Sequence, residues 1–210
     1  MAKKTTQEVI SENVETLFSV TKKGKAQWCK YLEPDQYGTY AVDLYLDEED
    51  EENFVEVLEG MRDAAYEALK KDNPNIVIKD VADVYKIKDG KKCFTFKSKP
   101  EQLKKTNGKI TIIDIKGQED KEFNKLVGNG STIKVGFMAK PYYMQSTKSV
   151  GVALRFTAMQ VIKLNEFSKS ASGFADETDP DDTFSKEYKP KPANAVFLDE
   201  SSDDDLGDVF

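Results

Sequence analysis

The chain has 210 residues, of which 39% are hydrophobic and 33% charged, and its formal net charge is −7. This length suits one ordinary domain with an appendage, or two small domains. Histidine is absent, so the commonest general base and metal ligand are missing, and an enzyme is disfavoured although carboxylates remain available to bind Mg²⁺. No apolar run is long enough to cross a membrane, and no signal-peptide segment follows residues 1–6, which predicts a cytosolic protein.

The net charge hides a strong internal division. Residues 169–210 contain 12 acids and 4 lysines, a net charge of −8, whereas residues 1–168 carry +1. Within that longer part, residues 43–72 contain 12 acids and 3 bases, and residues 79–163 contain 18 bases and 8 acids, a net charge of +10. A region this basic attracts polyanions at a distance.

The first half of the chain predicts strands followed by one long helix. In chain order we expect a loose polar arm at 1–12 and strands at 14–20, 26–32 and 39–46. Asp47 then suits a helix N-cap, and apolar residues recur every three or four positions from Phe54 to Leu69. The pattern predicts an amphipathic helix of about five to six turns that stops at Asn73.

Cys29 and Cys93 lack metal-ligand spacing, so we expect small buried hydrophobes and no disulfide.

The second half predicts basic strands. Residues 91–99 form a basic strand with Phe94 and Phe96 on one face, where core packing is the favoured interpretation. A basic loop over 99–109 and a buried strand over 110–116, interrupted by Asp114, follow.

Residues 131–167 predict a long β-hairpin with a basic and aromatic elbow. Ile133, Val135 and Phe137 alternate with polar neighbours, and the same period-two pattern returns in residues 150–164. The elbow at 140–148 contains Tyr142 and Tyr143 beside lysines, and flat rings next to ammonium groups suit unpaired nucleobases and their phosphates. The alternative, that both rings merely cap the end of a sheet, has about equal weight.

An antiparallel small barrel with one inserted helix fits this order of elements better than an alternating βαβ pattern. After Phe167 the apolar periodicity ends, and residues 174–210 mix acids with Pro, Lys and isolated aromatics. We therefore predict an ordered domain over 1–168 and a flexible acidic tail over 169–210. The tail is either a solubilising segment or, with its apolar tip at Phe210, a ligand for the protein's own basic groove or for a partner.

Several segments, taken in order, resemble a known family. They are Gly38-Thr39-Tyr40-Ala41-Val42-Asp43-Leu44, the helix with Asp63-Ala64-Ala65-Tyr66, Phe94-Thr95-Phe96-Lys97, Ile113-Asp114-Ile115-Lys116-Gly117, Gly130-Ser131-Thr132-Ile133-Lys134-Val135 and Pro141-Tyr142, followed by the acidic tail. The series resembles the single-stranded DNA-binding proteins of phage T-seven and related podoviruses over residues 14–167.

The resemblance implies a mainly β OB-fold, a five-stranded Greek-key barrel with one inserted α-helix. It implies a dimeric phage replication and recombination protein of the host cytoplasm that uses no cofactor or metal, coats and anneals single strands, and contacts polymerase and helicase-primase through its tail. Tyr142 matches the family's base-stacking tyrosine, and Lys3 and Lys97 lie at or near its basic contacts. The sequence departs from the family at Tyr37, Met144 and the less acidic distal tail.

Together the residues and the resemblance predict two sets of contacts. The DNA-binding set is Tyr142, Tyr143, Lys97, Lys140, Lys134, Arg155, Lys99 and Lys3. The partner-binding set is Asp203, Asp204, Asp205, Asp208 and Phe210. Two other functions stay open: a Mg²⁺-dependent nuclease that uses Asp43 and Asp114, and an acidic chaperone or protein-interaction module that acts through its tail.

Overall fold

The computed structural model describes residues 4–166, whose strands form a single β-sheet. The helices are α1 (Thr6–Asn13) and α2 (Glu48–Asp72). The strands within the described residues are β1 (Leu17–Val20), β2 (Gly24–Lys30), β3 (Tyr40–Leu46), β4 (Asp80–Val81), β5 (Lys86–Lys88), β6 (Lys91–Ser98), β7 (Thr111–Ile113), β8 (Thr132–Met144) and β9 (Ser149–Lys163). Two short 3-10 turns, Pro100–Gln102 and Lys104–Thr106, connect β6 to β7. The predicted mainly β fold with a long inserted helix is confirmed.

The β8–β9 hairpin is the centre of the sheet. The strand order is β4-β9-β8-β2-β3-β6-β5, β1 pairs with β8 on the edge that β2 also uses, and β7 runs parallel to β9. The two extra residues that shift the β8–β9 register both belong to β9, so β8 alternates without interruption. Its inward positions are buried from Ile133 to Pro141. The predicted hairpin is therefore confirmed.

Aromatic rings from α2 and the sheet form the middle of the core. The Phe54 ring centroid lies 4.8 Å from that of Phe94 and 5.4 Å from that of Phe137, both edge to face. Phe94 and Phe96 are fully buried, which confirms their predicted place in the core. Burying each ring contributes about 1.5–3 kcal/mol, so this cluster fixes α2 against the sheet.

The long helix begins and ends where its sequence indicates. Asp47 occupies the N-cap position without a side-chain cap hydrogen bond, and four acids in the first turn, Glu48 to Glu51, complement the helix dipole. The helix has 25 residues, about seven turns, so it is longer than predicted. The predicted length was too short partly because the first turn of the helix consists of charged residues, which add nothing to the apolar periodicity.

The prediction of a loose arm over 1–12 is wrong for residues 6–13, which form α1. Thr5 and Glu8 make a reciprocal capping box, and this hydrogen bonding to the Thr5 backbone lowers the pKa of Glu8. Val9 and Ile10 are buried in a second core cluster with Leu69 of α2 and Val150 of β9. Two apolar residues are too few to show a helical period, so only the capping-box spacing signalled this helix.

Several predicted boundaries were incorrect. The strand predicted at 14–20 starts only at Leu17, and the one predicted at 110–116 is limited to Thr111–Ile113. Asp114 closes a turn instead, because its side chain accepts hydrogen bonds from the Lys116 and Gln118 amides, both at 2.8 Å. The elbow predicted at 140–148 is mostly strand, since β8 continues to Met144.

Among the described residues, no helix is long and apolar enough to cross a membrane.

Candidate nucleic-acid interface

The side of the β8–β9 hairpin that faces away from the core is basic, and we call it the hairpin outer face. Its β8 residues are Thr132, Lys134, Gly136, Met138, Lys140 and Tyr142. Their partners on β9, in the same order, are Lys163, Gln160, Ala158, Arg155, Ala153 and Gly151. On the other edge of β8, Lys25 of β2 pairs with Thr132, and Val20 and Phe18 of β1 pair with Gly136 and Met138. These fifteen positions include five bases and no acid. The face extends about 33 Å along β8, long enough for several nucleotides.

Tyr142 lies against the backbone of its cross-strand partner. A Cβ added to Gly151 would stand 2.7 Å from the Tyr142 hydroxyl oxygen and 2.8 Å from Cζ, so only glycine leaves room for the ring. The Tyr142 side chain remains half-exposed. A ring supported on one side by backbone and open on another is suited to stack on an unpaired base.

Tyr143 lies on the other side of the strand. Its hydroxyl donates to the Val77 carbonyl at 2.9 Å, and its ring packs against the cluster that contains Ile10 and Val150. These contacts anchor the segment after α2 to the hairpin. Period-two alternation separates the two neighbouring tyrosines, so only Tyr142 is on the hairpin outer face.

A groove crosses the hairpin outer face at Met138. Phe18, Met138 and Arg155 follow one another across β1, β8 and β9, and they line a groove of about 740 Å³ with the segment from Ser98 to Thr106. Phe18 is 72% exposed, which is unusual for a large ring in a strand. The far wall contributes Lys104 and Lys105 together with one acid, Glu101.

Sequence reasoning missed Phe18, because an aromatic residue in a predicted strand is normally counted as core. Its exposure follows from its register with Met138, which places the ring on the hairpin outer face.

Two of the predicted cations, Lys134 and Lys140, flank this groove on β8, and both are half-buried. Lys99 is exposed at the start of the segment that lines the groove. Lys97 is exposed on β6, in register with Ala41, which in turn pairs with Lys30 of β2. Lys3, Asp203, Asp204, Asp205, Asp208 and Phe210 lie outside the described residues.

The two carboxylates considered for a nuclease have structural partners. Asp43 is buried and accepts hydrogen bonds from the Lys88 ammonium and from Thr95 Oγ1, the latter at 2.7 Å. The hydrogen bond with Asp43 raises the pKa of Lys88. Asp114 closes the turn after β7. Over residues 4–166, no three acidic or cysteine side chains come together in a group that could hold a metal ion.

Both cysteines are free. Cys93 is fully buried, as predicted for a small hydrophobe. Cys29 is half-buried with its Sγ 3.7 Å from Met159 Sδ, and burial raises the pKa of its thiol to about 12. A thiol with so high a pKa is a poor nucleophile at neutral pH.

The fold is OB-like: a mainly antiparallel sheet with a long helix inserted between two of its strands. It is similar to the crystal structure of gp2.5, a single-stranded DNA-binding protein encoded by bacteriophage T7, with a TM-score of 0.61 and 22% identity over 86% of this chain and 100% of that one. The resemblance inferred from the residues is therefore confirmed for the fold.

Two structures of the single-stranded DNA-binding protein from bacteriophage Enc34, a C-terminal truncation and a complex with single-stranded DNA, align more distantly. Their TM-scores are 0.45 and 0.42, each at 10% identity over 70% of this chain and 86% of theirs. No protein-family model and no curated protein matches the chain.

Proposed function

We propose that this protein is a non-catalytic, sequence-independent single-stranded DNA-binding protein of phage DNA replication and recombination. The observation that carries the proposal is the hairpin outer face, where acids are absent and Tyr142 is supported by Gly151. Ammonium and guanidinium groups attract phosphates without reading sequence, and a tyrosine ring stacks on any base. The fold shared with gp2.5, a single-stranded DNA-binding protein, supports the same function.

The wider role in the proposal rests on the resemblance and on the charge division. The protein would coat and anneal single strands as a homodimer in the cytoplasm of the infected host. Its acidic residues 169–210, with Asp203, Asp204, Asp205, Asp208 and Phe210, would recruit the replicative polymerase and helicase-primase. Their net charge of −8 makes docking on a basic partner surface favourable.

The test is equilibrium binding of a dye-labelled oligo-dT and of a duplex of equal length, measured by fluorescence anisotropy. We expect preference for the single strand, because paired and stacked bases offer no free face to Tyr142. Affinity should fall with salt at a logarithmic slope of about −0.7 for each phosphate contacted. Tyr142→Ala should weaken binding by about 1–3 kcal/mol.

Tyr142→Phe is the matched control, since it keeps the ring and removes only the hydroxyl, and it should bind nearly as well as the parent. A folded Tyr142→Ala protein with unchanged affinity would rule out the stacking role. Equal affinity for single and double strands, or affinity independent of salt, would contradict the proposed function itself.

A further inference from the structure

Trp28 is exposed and has a strained backbone. It is the single tryptophan of the chain, its side chain is 66% exposed, and its φ is +52°. The left-handed region costs a residue with a side chain roughly 1–2 kcal/mol and is rarely adopted by a bulky one. A residue that is both uncovered and strained contributes little to the stability of the fold, which points to a role outside it.

A β-bulge turns Trp28 outward. Gln27 pairs with Asp43 and Lys30 pairs with Ala41, so Trp28 and Cys29 together lie opposite Val42. Cys29 approaches the inward-facing Met159, and Trp28 faces solvent. Bulges of this kind re-aim a side chain and are common beside binding sites.

The loop before β8 holds this conformation in place. The Trp28 amide donates to Asn129 Oδ1 at 2.9 Å, and the Asn129 carbonyl accepts from Asn165 Nδ2 at 2.8 Å. Both ends of the hairpin thus contribute to the position of the indole. Because Asn129 lies three residues before Thr132, Trp28 stands beside the end of the hairpin outer face that is farthest from Tyr142.

The charges around Trp28 suit a polyanion. Lys25, three residues earlier, donates to Thr132 Oγ1 at 2.9 Å, and Thr132 pairs with Lys163 on β9. Lys30 follows the bulge, and all three lysines are exposed. Asp43 on the neighbouring strand β3 is paired with Lys88, and Glu166 shortly after β9 is paired with Lys125. An exposed indole near exposed ammonium groups has the chemistry that binds an unpaired base and its phosphates.

We infer that Trp28 is a second base-stacking platform, so that a single strand bound along the hairpin outer face extends past Thr132 to the β2 bulge. The inference rests on the proposed function and adds a second anchor to it, about ten residues of strand away from Tyr142. Oligonucleotides too short to span both rings should bind at one of them, and longer ones should bind at both.

The fluorescence of the intact protein tests this directly, because all indole emission comes from Trp28. Oligo-dT of increasing length is added while dye anisotropy reports binding and indole emission reports stacking. With the longer oligonucleotides we expect emission to be quenched in parallel with binding. Trp28→Ala should weaken their binding roughly 5- to 100-fold. Ile87→Ala, which removes another exposed apolar side chain on β5, should leave it unchanged.

Trp28→Asn separates a binding role from a packing role. Asparagine tolerates positive φ, so this variant relieves the strain while it removes the ring. We expect its melting temperature to equal or exceed that of the parent and its affinity for long oligo-dT to fall as in Trp28→Ala. A lower melting temperature would show that the indole is a packing residue and would overturn the inference.

The other outcomes are also decisive. If oligo-dT binds at every length without quenching, and Trp28→Ala binds like Ile87→Ala, this inference fails while the proposed function stands. If emission changes with protein concentration in the absence of DNA, the indole is a contact between copies of the chain and the inference fails. If no oligo-dT binds, both it and the proposed function fail.

Discussion

At the scale of single residues, the position of the Tyr142 ring depends on the glycine opposite it on β9. Gly151 gives the ring its support because any side chain there would occupy the space of Cζ and the hydroxyl. Its backbone does not require positive φ, so the constraint is purely one of space. Tyr142 and Gly151 therefore act as one unit.

This pairing predicts that Gly151→Ala displaces the Tyr142 ring. The added methyl should cost about 1–3 kcal/mol of stability through overpacking and weaken oligo-dT binding about as much as Tyr142→Ala does. Gly60→Ala is the matched control, because nothing lies within 4 Å of its added Cβ in α2, and it should leave binding unchanged.

A double-mutant cycle identifies the cause. In a Tyr142→Ala background, Gly151→Ala should produce no further loss of affinity, since the ring it displaces is gone. Additive losses in the anisotropy titration would show that Gly151 acts on DNA binding by another route.

At the scale of elements, α1 supports the tip of the hairpin that carries Tyr142. Val9 and Ile10 pack against Leu69 and Val150, and the Gln7 side chain reaches the Pro141 carbonyl at 3.4 Å. An eight-residue helix is marginal alone, so its stability comes from this packing and from its cap. The capping box thus contributes to the position of the hairpin tip that carries Tyr142.

Thr5→Ala should lower the free energy of unfolding by about 0.5–2 kcal/mol, because it removes the side-chain acceptor for the Glu8 amide. Denaturant unfolding measures the change. Thr6→Ala is the control at the next position, since the Thr6 hydroxyl takes no part in the capping box. Equal effects of the two substitutions would mean that the cap contributes nothing measurable.

The elements that could be predicted from the sequence are those whose signal is local and repeated. The apolar spacing of α2, the alternation of β8 and the position of Phe94 and Phe96 in the core all follow from periodicity. The missed features depend on distant partners. Phe18 is exposed because its register with Met138 places it on the hairpin outer face, Tyr143 is anchored by Val77, and Trp28 is turned outward by a bulge that Asn129 holds.

At the scale of the whole molecule, charge is divided between separate parts of the sequence. The acids of α2 are concentrated in its first turn and along its exposed positions, whereas the hairpin outer face has none. A polyanion is therefore attracted to one surface of the described residues and repelled from another. Residues 169–210, with a net charge of −8, belong to the same chain as this basic surface.

The last prediction concerns that acidic segment. Covalent attachment gives it a local concentration on the order of millimolar if its linker is short and flexible, so even a weak contact with the basic surface would compete with DNA. Removing residues 174–210 should tighten oligo-dT binding, most clearly at low salt, because screening weakens the competition as ionic strength rises. Removing Phe210 alone keeps nearly all the charge, so it should preserve most of the competition while weakening partner docking. Affinities measured by anisotropy at two salt concentrations test whether the acidic segment competes with DNA. If the truncated protein binds no more tightly than the full chain at low salt, the segment does not compete with DNA. Solubility then becomes the better explanation of its acidic composition.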